Sequence, residues 1–154
     1  MIAVLLAAAV TAMNWEVRAD VAIEPNAPER LEVAFPQLAP GTLIATLELV
    51  APWTDARGTG IAAGKYAVRY ALRPNDGNHM GVSDYRDFLV LIPLSDDPGA
   101  GAKPDHEELM ALGKRTTGGR HPAVMGLAPA PEADMKLHVG ELVVGVLLKN
   151  EGDH

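Results

Sequence analysis

The sequence predicts an all-β fold, a single-domain antiparallel β-sandwich of about seven strands with one short helix. Three observations carry this expectation. Apolar and polar residues alternate with period two in several separate runs. Proline (12) and glycine (15) are frequent enough to put turns between those runs, and too frequent for a helical bundle. One segment alone combines helical spacing with helix start and stop signals.

In chain order, Trp15, Val17, Ala19, Val21 and Ile23 alternate with Glu16, Arg18 and Asp20. Leu31, Val33 and Phe35 alternate with Glu32 and Ala34, and Leu43, Ala45, Leu47 and Leu49 alternate with Thr46 and Glu48. Tyr66, Val68, Tyr70 and Leu72 form the cleanest stripe, opposite Lys65 and Arg69. Residues Phe88 to Ile92 are apolar without a break, as in a strand buried on both faces. The run from Leu137 to Leu148 predicts one long strand, or two short ones bent at Gly140 or Gly145. The helix is expected after Pro104. Asp105 and Glu108 make a capping pair, Leu109 and Leu112 lie three apart, and Gly118-Gly119 ends the segment.

A chain of 154 residues, 48% apolar, builds a proper core as one domain, with no internal repeat or linker. Its formal charge of −7 speaks against nucleic acid, which needs a surplus of Lys and Arg on one face. The same acidity disfavours docking on anionic lipid. The absence of cysteine excludes disulfides, thiolate nucleophiles, iron–sulfur clusters and cysteine-type zinc sites.

Residues 1–12, MIAVLLAAAVTA, are apolar and end in small residues, so that Val10-Thr11-Ala12 fits the small-x-small rule of a secretory signal. Twelve helical residues reach ~18 Å, too short to cross a ~30 Å hydrocarbon core. Residues 1–12 are therefore expected to be a signal peptide, or else a short N-terminal strand, before a β-domain over 13–154.

The segment Arg73–Asp87 joins two strong strands and exceeds the ~2–5 residues of an ordinary hairpin loop. It concentrates Asp76, Asn78, His79, Asp84, Arg86 and Asp87, a candidate surface for a ligand or partner. Imidazole with carboxylate suits copper, zinc or iron, so His79, His121 and Asp76 (or Asp84) make a candidate metal set, with Met80 as an added ligand for copper. The plainer reading is a loop packed on itself, with Asp76, Asn78 and Asp87 bonding nearby backbone amides and Arg86 pairing with an aspartate.

Other motifs do not complete. His106-Glu107 starts like a zinc-protease helix, but Met110 stands where the second histidine belongs. Gly58 to Gly64 misses the dinucleotide spacing and leads into a strand. Gly113-Lys114 lacks the upstream glycine of a phosphate loop. Ser83 and Ser95 sit in no nucleophile elbow. Trp53 with Asp55 and Arg57 suits carbohydrate or protein recognition, or simply a tryptophan closing the core.

The pattern GxYxxRYxLxPxDGNHxGxSxYRDFxxLxP over 64–93, followed by Gly119-x-His121-Pro122, resembles an uncharacterised family of exported bacterial proteins. The resemblance implies a signal peptide, a β-sandwich and a periplasmic or secreted location, and no activity. Two functional expectations stand together. One is a binding or interaction module of the envelope, alone or as a subunit of a larger complex, with the 73–87 and 117–123 loops at one end. The other is a metal-binding domain or metalloenzyme using His79 and His121 with Asp76 or Asp84.

Overall fold

Two long strands form the centre of the molecule. In the computed structural model, which describes residues 13–17, 33, 35–36, 38–54, 58–74, 85–127, 139–140 and 143–144, β5 (Gly64–Leu72) pairs antiparallel with β6 (Asp87–Pro93). The ladder runs from Tyr66 opposite Pro93 to Leu72 opposite Asp87. β2 (Leu43–Leu49) lies on the far side of β5, β1 (Met13–Val17) beyond it, and β7 (Val124–Gly126) flanks β6. All neighbours in this five-stranded sheet, β1-β2-β5-β6-β7, are antiparallel. β3 (Trp53–Thr54) with β4 (Gly60–Ile61), and β8 (Val139–Gly140) with β9 (Val143–Val144), form separate two-stranded ribbons. The antiparallel, strand-rich character, with one α-helix among the described residues, is as the sequence predicts.

Alternation along the strands sorts the side chains onto two faces. Ala45, Leu47, Leu49, Tyr66, Val68, Tyr70, Leu89 and Leu91 belong to one core layer, where Leu38 and Ile61 join them and Trp53 packs against it. Ala67, Ala71, Phe88, Val90 and Ile92 form the other layer, covered by Leu109 of α1 (His106–Thr117). Each aliphatic side chain so buried contributes roughly 1.5–3 kcal/mol. β6 is buried on both faces, as its unbroken apolar run predicts.

The helix forms where the local signals place it. Asp105 accepts from the Glu108 amide and Glu108 accepts from the Asp105 amide, both at 2.9 Å, a complete capping box. Gly118 ends it in the left-handed conformation (φ 76°). Gly113 is the contact residue. A Cβ there would stand 2.6 Å from Val90 Cγ1 and 2.9 Å from Pro122 Cβ, so its bare backbone lets α1 seat on the sheet.

Arg69, opposite the Tyr66–Leu72 stripe, is fully buried, because α1 and the 97–102 loop cover that face as well. Two local expectations need correction. Leu43 leaves the Ala45 face, since a register shift between Leu43 and Ala45 rotates it into the layer under α1. Val33 and Phe35 lie outside any strand, and the Phe35 amide bonds a side chain instead of a ladder. Of the predicted Leu137–Leu148 run, the described residues form two short strands separated by residues 141–142.

Candidate functional site

The root of the 73–87 loop is tightly built. The Arg73 amide donates to the Arg86 carbonyl at 2.8 Å, and Arg86 Nε donates back to the Arg73 carbonyl at 2.8 Å. The backbone bond continues the β5–β6 pairing past Leu72 and Asp87, and the side-chain bond closes the same two residues. Arg73 also places its guanidinium 5.9 Å from the Phe88 ring centroid, within cation–π reach. Asp87 is the first residue of β6 and is fully buried. Its Oδ1 accepts from the Tyr70 hydroxyl at 2.7 Å and from the Phe35 amide at 3.1 Å. Burial, then the hydrogen bond to Asp87 and its negative charge, push the Tyr70 hydroxyl far above the usual phenol range, with the charge of Arg86 opposing.

A second polar centre lies on the opposite face of β5. Arg69 Nε and Nη2 grip Asp97 Oδ1 and Oδ2 at 2.6 and 2.8 Å, a two-pronged pair with both side chains almost wholly shielded (0% and 5% exposed). Nη1 donates to the Gly41 and Ala102 carbonyls, and Nη2 also donates to Gly99. All five guanidinium N–H groups thus have acceptors. Burial alone would raise the Asp97 carboxyl, but the hydrogen bonds from Arg69 and the Gly99 amide, with the guanidinium charge, outweigh it and hold the group below its ordinary value. With no donor left over, this centre binds loops to the sheet and has nothing to offer a ligand.

His121 stands elsewhere. β6 and β7 pair from Phe88 opposite Gly126 to Val90 opposite Val124, and Leu91 donates to the Ala123 carbonyl at 2.9 Å. That register carries the His121 turn to the level of Pro93, the far end of β6 from Asp87. At ~3.3 Å per residue the loop root and His121 are roughly 20 Å apart. The 73–87 and 117–123 loops therefore leave opposite ends of the sheet, not one end as the sequence suggested. His121 is half-buried, its Nδ1 lies 2.8 Å from the Pro122 carbonyl, and its own carbonyl accepts from Thr117 Oγ1. A carbonyl only accepts, so Nδ1 is the donor in this contact.

Asp76, Asn78, His79 and Asp84 lie outside the described residues. Of the predicted site set, Arg86 and Asp87 are brought together with Tyr70 and Phe35 at the loop root, and His121 is not. Among the described residues no three His, Asp or Glu side chains are grouped as a metal would need. The Arg69–Asp97 pair escaped the sequence reading, although Ala67 and Ala71 beside Arg69 on the same stripe give that side an apolar setting. Among the described residues no helix is long and apolar enough to cross a membrane. Comparison with protein-family models, with curated proteins and with solved structures finds no match.

Proposed function

We propose that this chain is an exported domain of the bacterial envelope that recognises a partner through residues 75–84, carried on a rigid root. Residues 1–12 serve as its export signal, and the ribbon β3–β4, with Ile61 and Trp53 against the Leu47–Tyr70 layer, begins the second sheet of a sandwich. The observation that carries this reading is the locked base of the loop. Arg73 and Arg86 are doubly hydrogen-bonded, and Asp87 beside them is buried and bonded to Tyr70 and Phe35. Recognition by a loop is tighter when the scaffold already fixes its ends, because less ordering entropy is lost on binding. The polar content of 75–84 (Asp76, Asn78, His79, Asp84) supplies the hydrogen-bonding groups.

The test is affinity capture from a cell-envelope extract with the intact chain and a D76A/N78A/H79A variant. A protein recovered by the first and lost by the second, at equal thermal stability, supports the reading; identical recoveries sink it.

A second reading, metal binding, is favoured by the Nδ1 contact of His121 with the Pro122 carbonyl, since a ligating histidine commonly donates its other N–H to a carbonyl. A single ion shared with His79 would require residues 75–84 to return along the length of the sheet. Elemental analysis of untagged protein, beside an H79A/H121A variant, decides it. Stoichiometric copper, zinc or iron that disappears in the variant establishes the site, and no metal in either sample retires it.

A further inference from the structure

Arg69 and Arg86 are satisfied in very different ways. Arg69 engages all of its guanidinium N–H groups with Asp97 and with the carbonyls of Gly41, Gly99 and Ala102. Arg86 engages Nε alone, which donates to the Arg73 carbonyl at 2.8 Å. Among the described residues its Nη1 and Nη2 have no acceptor, and no ion pair reaches it. The neighbouring Asp87 turns its Oδ1 to the Tyr70 hydroxyl and the Phe35 amide instead. The Nε bond fixes the guanidinium plane, and the residue is only half-buried. Its two terminal amino groups therefore form a preset fork that a ligand can reach.

Arg73 adds a second cation. It stands opposite Arg86 where the β5–β6 pairing ends, its amide on the Arg86 carbonyl. Like charges on directly opposed residues of a strand pair cost stability. Here they are held together by two hydrogen bonds at 2.8 Å, as a site for an anion requires. The Arg73 guanidinium lies over Phe88, a ring only 5% exposed, and an apolar floor strengthens charge interactions above it. The charges described at the root are these two cations and the buried Asp87 carboxylate. That leaves a single positive surplus, which a carboxylate balances and a phosphate dianion exceeds.

We propose that Arg86, with Arg73 beside it, receives the carboxylate of an acidic side chain on a partner polypeptide, through parallel N–H···O bonds from Nη1 and Nη2. This gives the loop's partner a chemistry, and it rests on the reading above for the existence of that partner.

The experiment follows the arginine Nε–Hε signals of the isotope-labelled full chain by NMR. The probe is N-acetyl-glutamate α-amide, whose one charge is a side-chain carboxylate. The Arg86 signal should shift saturably at millimolar probe while the Arg69 signal stays, and the glutamine analogue should move neither. Arg86→Lys keeps the charge and loses the fork, so it should bind the probe about tenfold more weakly, with its melting temperature measured alongside. An Arg86 signal that glutamate leaves unmoved overturns the proposal without recourse to any variant. Tighter binding of N-acetyl-glycine, which mimics a chain terminus, or of inorganic phosphate overturns the assignment to an acidic side chain. Tighter binding by D76N/D84N than by wild type overturns it too, and gives the fork to the chain's own loop. Capture from the envelope extract separates the two ideas. If Arg86→Lys recovers as much of a partner as wild type, while D76A/N78A/H79A loses it, the loop reading stands and this one falls.

Discussion

Tyr70 and Asp87 share a buried hydrogen bond of 2.7 Å that joins β5 to β6 where the polar loop leaves the sheet. The same carboxylate oxygen takes the Phe35 amide, so one buried acid fixes both the loop root and Phe35. Candidate loop residues and core residues thus meet in a single side chain.

Tyr70→Phe should lower stability by about 1–2 kcal/mol, since Asp87 keeps the Phe35 amide as a donor. Asp87→Ala removes the acceptor of the Phe35 amide and the nearer acceptor of the Tyr70 hydroxyl, and should cost about 2–4 kcal/mol. Urea denaturation midpoints at constant m-value measure both. Equal losses in the two variants would mean that the Phe35 bond contributes nothing.

Tyr70 also predicts behaviour in alkali. Its native hydroxyl ionises far above the ordinary value of 10.0, chiefly because it is buried. Its contribution is complete below pH 10 and falls as pH rises, because the unfolded chain loses the proton first. Tyr66, also raised by burial, adds in the same direction. Stability measured from pH 9 to 11 should decline less steeply in Tyr70→Phe than in wild type; parallel curves would refute this.

The Arg69–Asp97 pair should tolerate no single removal. Asp97→Asn leaves a buried guanidinium without its counter-charge, at a cost of about 3–5 kcal/mol. Because the Asp97 carboxyl is held below its usual value, its contribution is present above about pH 4 and is lost as pH falls through the native value. The gap between wild type and Asp97→Asn should therefore narrow in acid. A gap independent of pH would show that the charge of Asp97 is irrelevant to its role.

Gly113→Ala should destabilise by about 1–3 kcal/mol through overpacking against Val90 and Pro122. Adding Val90→Ala to that variant opens room for the new methyl, so the pair of changes should cost less than their sum. Thermal melts of the two single variants and the double variant test the coupling.

Features encoded by neighbours in sequence were legible. Asp105, Glu108 and Gly118 lie within one helix length of each other, so both ends of α1 are readable from the chain. The Phe88–Ile92 run shows its double burial directly. Arg69 was not legible, because alternation separates two faces without saying which polar residue will be covered, and its partner stands 28 residues away. The Leu43 shift depends on an irregular register against Arg69 and Val68. Grouping Asp87 with the loop was reasonable from its neighbours, but the ladder starts at that residue. The distance between the loop root and His121 follows from strand pairing, which no short motif reports.

Arg69 and Tyr70 are consecutive, yet they anchor opposite sides of the sheet, one through Asp97 and the other through Asp87. A misfolded chain in which β5 slid by one residue would exchange them. The guanidinium would then lie on the Leu47–Leu89 face, away from Asp97 and the carbonyls of Gly41, Gly99 and Ala102, and the phenol would lie on the face that Leu109 covers. Such a mistake forfeits both anchors at once, so the adjacent pair acts as a proofreading device during assembly. An apolar strand of the same length would let the two arrangements compete, and this one does not.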